Sequence, residues 1–183
     1  MKIRFFLILI VLFLSRSLQA TSLLIPMDNS QKNHLKAYGI TFWILKNNQE
    51  AEWLLNYRGG SFLCGYSKTI QEECNIRGVS VVVISDAQAA SIRAEIADPA
   101  VNMDIIKLSK APKVAVYAPK TNLPWDDAVT LVLTYAEIPY EQIYDEEVLR
   151  GDLPKYDWLH LHHEDFTGQY GKFWANYQNT EWY

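Results

Sequence analysis

The chain has 183 residues, 49% of them hydrophobic and 13% aromatic, and its 17 basic and 21 acidic side chains give a formal net charge of −4. That apolar content, with 8 glycines and 7 prolines, excludes a disordered or collagen-like polypeptide. Three of the basic residues, Lys2, Arg4 and Arg16, lie in the first twenty positions, so the remainder carries 14 basic against 21 acidic side chains, a charge of −7 that repels phosphate backbones and argues against a nucleic-acid partner.

The order of the amino-terminal residues is informative. Lys2 and Arg4 precede an unbroken apolar run, Phe5 to Leu14, and Ser15 to Ala20 turns polar and ends on a small residue. A run of about ten apolar residues is half the roughly twenty that a spanning helix needs. Basic, apolar, then small is the order of a secretory signal, with cleavage expected after Ala20. Residues 1–20 are read as a signal peptide, and the protein is expected to be periplasmic or secreted. No cysteine stands at the cut, and no second long apolar segment follows, so neither a lipid anchor nor stable membrane insertion is expected.

Ser22 to Met27 reads as a short strand, and Asp28 or Ser30 can cap a helix from Gln31 to about Asn47, where Leu35, Tyr38, Phe42 and Leu45 recur at helical spacing. Glu52 to Asn56 predicts a second strand. A helix from Ser67 to Arg77 should stop at Gly78. Val79 to Ile84 is continuous and β-branched, the pattern of a strand buried on both faces. Asp86 is placed to cap a helix from Ala87 to Ala97, which Pro99 ends. Residues 98–112 look irregular and mark a boundary between a lobe at 21–110 and a second α/β domain at 111–183.

Beyond the boundary come a strand (Lys113 to Tyr117), a helix (Trp125 to Ala136), a strand (Glu141 to Tyr144) and a short helix (Glu146 to Arg150). A strand from Tyr156 to Leu161 and a helix beginning at Gly168 complete the pattern. Strands alternating with helices predict one mostly parallel sheet with helical crossovers. The late aromatics Trp174, Tyr177, Trp182 and Tyr183 need partners to cover them, which predicts that the sequence is the start of a longer protein. Cys64 and Cys74 fall in one predicted helical region. Ten helical residues span about 15 Å and a disulfide needs Cα atoms within about 7 Å, so two free thiols are expected.

In an open parallel sheet, ligands bind outside the carboxyl ends of the strands. That rule gathers Asn56 to Ser61, Ser85-Asp86, Pro119 to Asp127 and His162 to Asp165 onto one edge, and with them Arg58, Gly59, Gly60, Asp86 and Asp126. Paired glycines let backbone N–H groups approach an anion, and Arg58 adds a fork of donors. A turn that needs glycine torsions, beside a surface arginine, accounts for the same residues. Asp126 suits the positive end of a helix, worth about 0.3–1 kcal/mol. His160, His162 and Asp165 can form an N,N,O zinc set, but strand alternation turns His163 away and the spacing matches no zinc signature. No metal is expected, and no cofactor. A carboxylate-rich crevice with one arginine suits a small zwitterionic ligand. Oligomeric state is not legible.

Four runs carry a resemblance: HLKAYG (His34 to Gly39), WLLNYRGGSF (Trp53 to Phe62), LPWDDA (Leu123 to Ala128) and YDWLHLHHEDFTGQYGK (Tyr156 to Lys172). They are similar to an exported Bacteroidetes-type protein family labelled asparagine synthetase B. The resemblance implies a class I glutamine amidotransferase-like, flavodoxin-like sheet from Lys113 onward. It also implies amide chemistry on a small amide or amino-acid-like ligand, with His162, His163 and Glu164 as polar catalytic-site residues. Arg58, Gly59, Gly60, Asp86 and Asp126 are the candidate ligand-binding residues. In that fold the nucleophile is a cysteine on a strand-to-helix elbow, which would fall beyond Tyr183. The chain departs from true asparagine synthetase B in having Lys2 after the initiator and no SGGxDS loop, so ATP-dependent synthesis is not expected. A non-catalytic periplasmic binding or scaffold module is the alternative, and a metal-dependent hydrolase the third.

Overall fold

A computed structural model of the chain describes residues 20–121, 128–161 and 166–181. The chain divides into two compact units between Lys110 and Ala111.

The first unit is built on five strands: β1 (Ala20–Ile25), β2 (Ala51–Leu55), β3 (Phe62–Gly65), β4 (Val82–Ser85) and β5 (Asp104–Leu108). Helix α1 (His34–Lys46) links β1 to β2, α2 (Lys68–Ile76) links β3 to β4, and α3 (Asp86–Ile96) links β4 to β5. The spatial order is β4-β1-β3-β2-β5, and every neighbouring pair is antiparallel. This overturns the expectation of one mostly parallel sheet. Helices separate most of the expected strands, but β3 follows β2 with no α-helix between them and was not expected. Each helix joins two strands that run the same way, and the chain leaves room between them for a strand of the opposite sense. β3 lies between β1 and β2, and β1 lies between β3 and β4. From β1 to β4 this is the connectivity of the split β-α-β, ferredoxin-like arrangement.

Two further expectations fall with it. Val79 to Ile84 is not a central strand. β4 starts at Val82, pairs only with β1 and forms an edge, and Val82 and Val83 are 43% and 37% exposed. A continuous β-branched run cannot by itself distinguish two buried faces from one buried face at an edge. Residues 98–112, expected to be irregular, contain β5, whose exposed polar positions Asp104 and Lys107 hide the strand pattern.

Period-two alternation divides the side chains of the sheet between two layers. Leu24, Leu54, Leu63 and Ile84 meet Ala89, Ile92 and Ile96 of α3 on one face. Leu23, Ile25, Phe62 and Cys64 point the other way, toward α1 and α2, which pack against each other. Tyr38 of α1 meets Phe62 edge-on at 5.5 Å, and Phe62 stacks on Trp53 at 6.2 Å. Asn33, rather than Asp28 or Ser30, caps α1, its side chain accepting from Lys36 N at 3.1 Å. Cys64 stands on β3 and not on a helix; both it and Cys74 are buried and free.

Parallel pairing is confined to the second unit. There β6 (Val114–Tyr117) is flanked by β7 (Tyr140–Ile143) and β8 (Trp158–Leu161), both parallel to it. Helix α4 (Ala128–Ala136) covers one face, where Val114, Val116, Ala118 and Leu133 form the core. α5 (Asp145–Leu149) follows β7, and α6 (Phe166–Tyr177) comes after β8. The whole chain is thus mixed α/β, with a five-stranded antiparallel sheet and a three-stranded parallel one.

Candidate functional site

The densest polar arrangement in the first unit sits where β1 and β2 end. β1 leads into Pro26-Met27-Asp28, and β2 into Asn56 to Ser61. Four residues of that second segment have left-handed torsions: Asn56 (φ 61°), Arg58 (φ 46°), Gly59 (φ 81°) and Gly60 (φ 90°). At Gly59 close approach adds most to the torsional demand: a Cβ there would overlap the carbonyl oxygen of Met27 and lie 2.7 Å from its carbon, whereas one on Gly60 would come within 3.3 Å of Trp53 Nε1. Gly59 therefore lets two backbones touch. Met27 N donates to Arg58 O at 3.2 Å and to Ser61 Oγ at 3.3 Å, and Ser61 is fully buried.

Across this backbone contact the side chains form a short network. Arg58 Nε donates to Asp28 Oδ2 at 2.7 Å and Nη2 donates to Ser30 Oγ at 3.1 Å. Ser30 returns two bonds to Asp28 Oδ1, from its N at 3.0 Å and its Oγ at 2.5 Å. The hydrogen bond from Arg58, then those from Ser30, hold the Asp28 carboxyl far below the usual carboxylate range. Asp28 in turn pushes the Arg58 guanidinium up. His34, at the start of α1, contacts Met27 O through Nε2 at 3.1 Å. Gln31 Nε2 donates to Pro26 O at 2.8 Å and to Ser80 O at 3.2 Å, which ties in the segment before β4.

Arg58, Gly59, Gly60 and Ser61 are thus brought together with Asp28 and Ser30, which sequence reading offered only as helix caps. Thirty positions separate Asp28 from Arg58, and no local pattern announces a pair at that separation. The geometry limits what Arg58 can do, because Asp28 already holds the Nε edge of its guanidinium. Asp86 is not part of this arrangement. It occupies the first turn of α3, while Ser85 is the cap, accepting from Gln88 N. β4 is antiparallel to β1, with Ser85 opposite Ala20 and Val82 opposite Leu24. Asp86 and Arg58 therefore lie at opposite ends of the sheet and do not border one crevice.

In the second unit, the carboxyl ends of β6 and β7 carry a charged network. Tyr117 Oη donates to Asp145 Oδ1 at 2.5 Å, and Tyr117 and Tyr144 rings lie 5.1 Å apart. Lys120 reaches Glu147 at 2.5 Å, holding its carboxyl down to about 2. Asp152 takes Lys155 at 2.5 Å and Arg150 at 2.6 Å, and both lower it. These pairs neutralise one another. His160 is half-buried on β8 beside Val116, on the face that α4 covers. Asp126, His162, His163 and Glu164 lie outside the described residues, as does Asp165 of the candidate zinc set. Among the described residues no three His, Cys, Asp or Glu side chains are grouped to hold a metal, and no helix is long and apolar enough to cross a membrane.

No protein-family model matches the chain, and no curated protein or solved structure matches it.

The two cysteines bear directly on chemistry. Burial pushes the Cys64 thiol up to about 12 and the Cys74 thiol up to about 11. A thiolate, not a thiol, is the nucleophile. Neither cysteine is on a strand-to-helix elbow open to solvent, and neither supplies an activated nucleophile.

Proposed function

We propose that the chain belongs to an exported, amidotransferase-like protein and that it engages a small amide or amino-acid-like ligand at the carboxyl edge of the β6–β8 sheet. One observation carries the reading. β6 and β8 are parallel neighbours in register, with Tyr117 opposite Leu161. The segments that follow them, which contain Asp126 and His162-His163-Glu164, therefore leave the sheet from the same edge. β7 lies on the other side of β6, so the strand order reverses here, the position at which open parallel sheets take ligands. The four runs of resemblance support the ligand class. Export is supported by the leader-like first twenty residues; cleavage after Ala20 would cost β1 only its first residue.

In this reading His162, His163 and Glu164 orient the ligand and move protons, since the thiols of Cys64 and Cys74 are too deprotonation-resistant to attack a carbonyl. The same fact favours the second reading, a binding module without turnover. Thermal unfolding of the full chain with L-asparagine tests the proposal. Ligand at 100 times its dissociation constant should stabilise by about 2.7 kcal/mol, and His162→Ala with Glu164→Gln should reduce the shift. No shift in the wild type, or an unchanged one in the variant, overturns it. Release of ammonia separates an enzyme from a binding module.

A further inference from the structure

On the α3 side of the first sheet lies a hollow of about 240 Å³. Its lining includes Ser22, Gly65, Glu50, Glu52, Arg93 and Lys107. The register explains why these residues meet. Ser22 is opposite Gly65, and Glu52 is opposite both Leu63 and Lys107, so the alternation that buries Leu24 and Leu63 under α3 turns them to the same face. Arg93 of α3 closes one side and donates from Nε to Glu52 Oε2 at 2.9 Å. That ion pair leaves two charges of opposite sign. Glu50 and Lys107 make no ion pair among the described residues, and both are exposed.

Gly65 is the open floor. Its φ is ordinary, so the backbone does not require glycine, and a Cβ there would meet nothing within 4 Å. The missing side chain keeps the hollow empty without serving the fold. Glu50 stands just before β2, two positions from the Glu52 that faces Lys107 on β5, and both Glu50 and Lys107 line the hollow. The hollow between them accommodates one ammonium and one carboxylate carried on a single carbon, each making a charge-assisted hydrogen bond. A pure anion would meet Glu50 and Glu52, and a pure cation Arg93 and Lys107. The volume of about 240 Å³ lies below the roughly 300 Å³ at which pockets for drug-sized ligands and cofactors begin, which limits an occupant to a few heavy atoms.

We infer that this hollow binds a small zwitterionic amino acid, its carboxylate on Lys107 and its ammonium on Glu50. The site uses residues of the first unit alone and does not rest on the function proposed above. Isothermal titration of the full chain tests it with L-serine, ethanolamine (no carboxylate) and 3-hydroxypropanoate (no amine). L-serine should bind, and each truncated probe should bind at least about tenfold more weakly, the loss expected for one charged hydrogen bond. Lys107→Ala should weaken L-serine about tenfold and leave ethanolamine unchanged; Glu50→Gln should weaken L-serine and leave 3-hydroxypropanoate unchanged. Gly65→Trp should abolish binding of all three while the circular dichroism spectrum and melting temperature stay near wild type. His162→Ala should not alter L-serine binding. The inference fails if L-serine does not bind, if Gly65→Trp leaves its affinity intact, or if His162→Ala removes it.

Discussion

At the scale of single residues, two backbones meet at Gly59, and the cost of a side chain there can be separated into parts. Gly78 has a comparable φ of +70° but open space where its Cβ would be, whereas Gly59 (φ +81°) faces the Met27 carbonyl. Gly78→Ala should therefore cost only the left-handed strain of about 1 kcal/mol, and Gly59→Ala about 3 kcal/mol because the two backbones must also part. Urea unfolding of the two variants measures the difference, and equal costs would show that the Met27 contact is not tight. The neighbouring Asp28 sets a pH signature. Its folded carboxyl is held below its ordinary value, so its contribution is complete above the unfolded-state pKa of about 3.9 and is lost as pH falls from there toward the folded value. Asp28→Asn should be less stable than wild type at pH 7, and the gap should shrink below pH ~4. A gap that stays constant between pH 7 and pH 3 would remove Arg58 and Ser30 as the cause.

At the scale of elements, the start of α3 shows how a cap and its neighbour differ. Ser85 Oγ accepts from Gln88 N at 3.3 Å, and Gln88 Oε1 accepts from Ser85 N at 2.9 Å, a reciprocal capping box. Asp86, one position later, supplies only its charge to the positive end of the helix. Ser85→Ala should cost about 1 kcal/mol and Asp86→Ala no more than about 0.5 kcal/mol, read from chemical unfolding midpoints. The opposite ranking would show that Asp86 does more than face the helix dipole. The same helix explains why its strand was misjudged. Ile84 is buried against α3, whereas Val82 and Val83 remain over a third exposed at the sheet edge. One covered face suffices to keep such a run β-branched.

At the scale of the molecule, the join between the units is short and falls between β5 and β6, where Ser109 and Lys110 are exposed. Few contacts cross such boundaries, which are the preferred sites of nicking. Limited trypsin digestion should cut first after Lys110, giving fragments that end and begin at that bond. An early cut within α1 or α3 instead would show that the first unit is not a cooperative body.

Local chemistry made much of this architecture readable. Leu35 to Leu45 at helical spacing, Gly78 after α2 and the short apolar run 114–117 each report their own element, because propensity, periodicity and capping act within a few residues. What no local pattern contains is which strand lies beside which. A β-α-β segment has the same residues whether its strands touch or admit another between them, and insertion of β3 between β1 and β2 turned an expected parallel sheet antiparallel. That decision moved Asp86 to the far end from Arg58, placed Asp28 against Arg58, and set Glu52 opposite Lys107. Pairings of this kind are selected by the packing of distant faces against α1, α2 and α3, so only the tertiary structure settles which polar residues share a site.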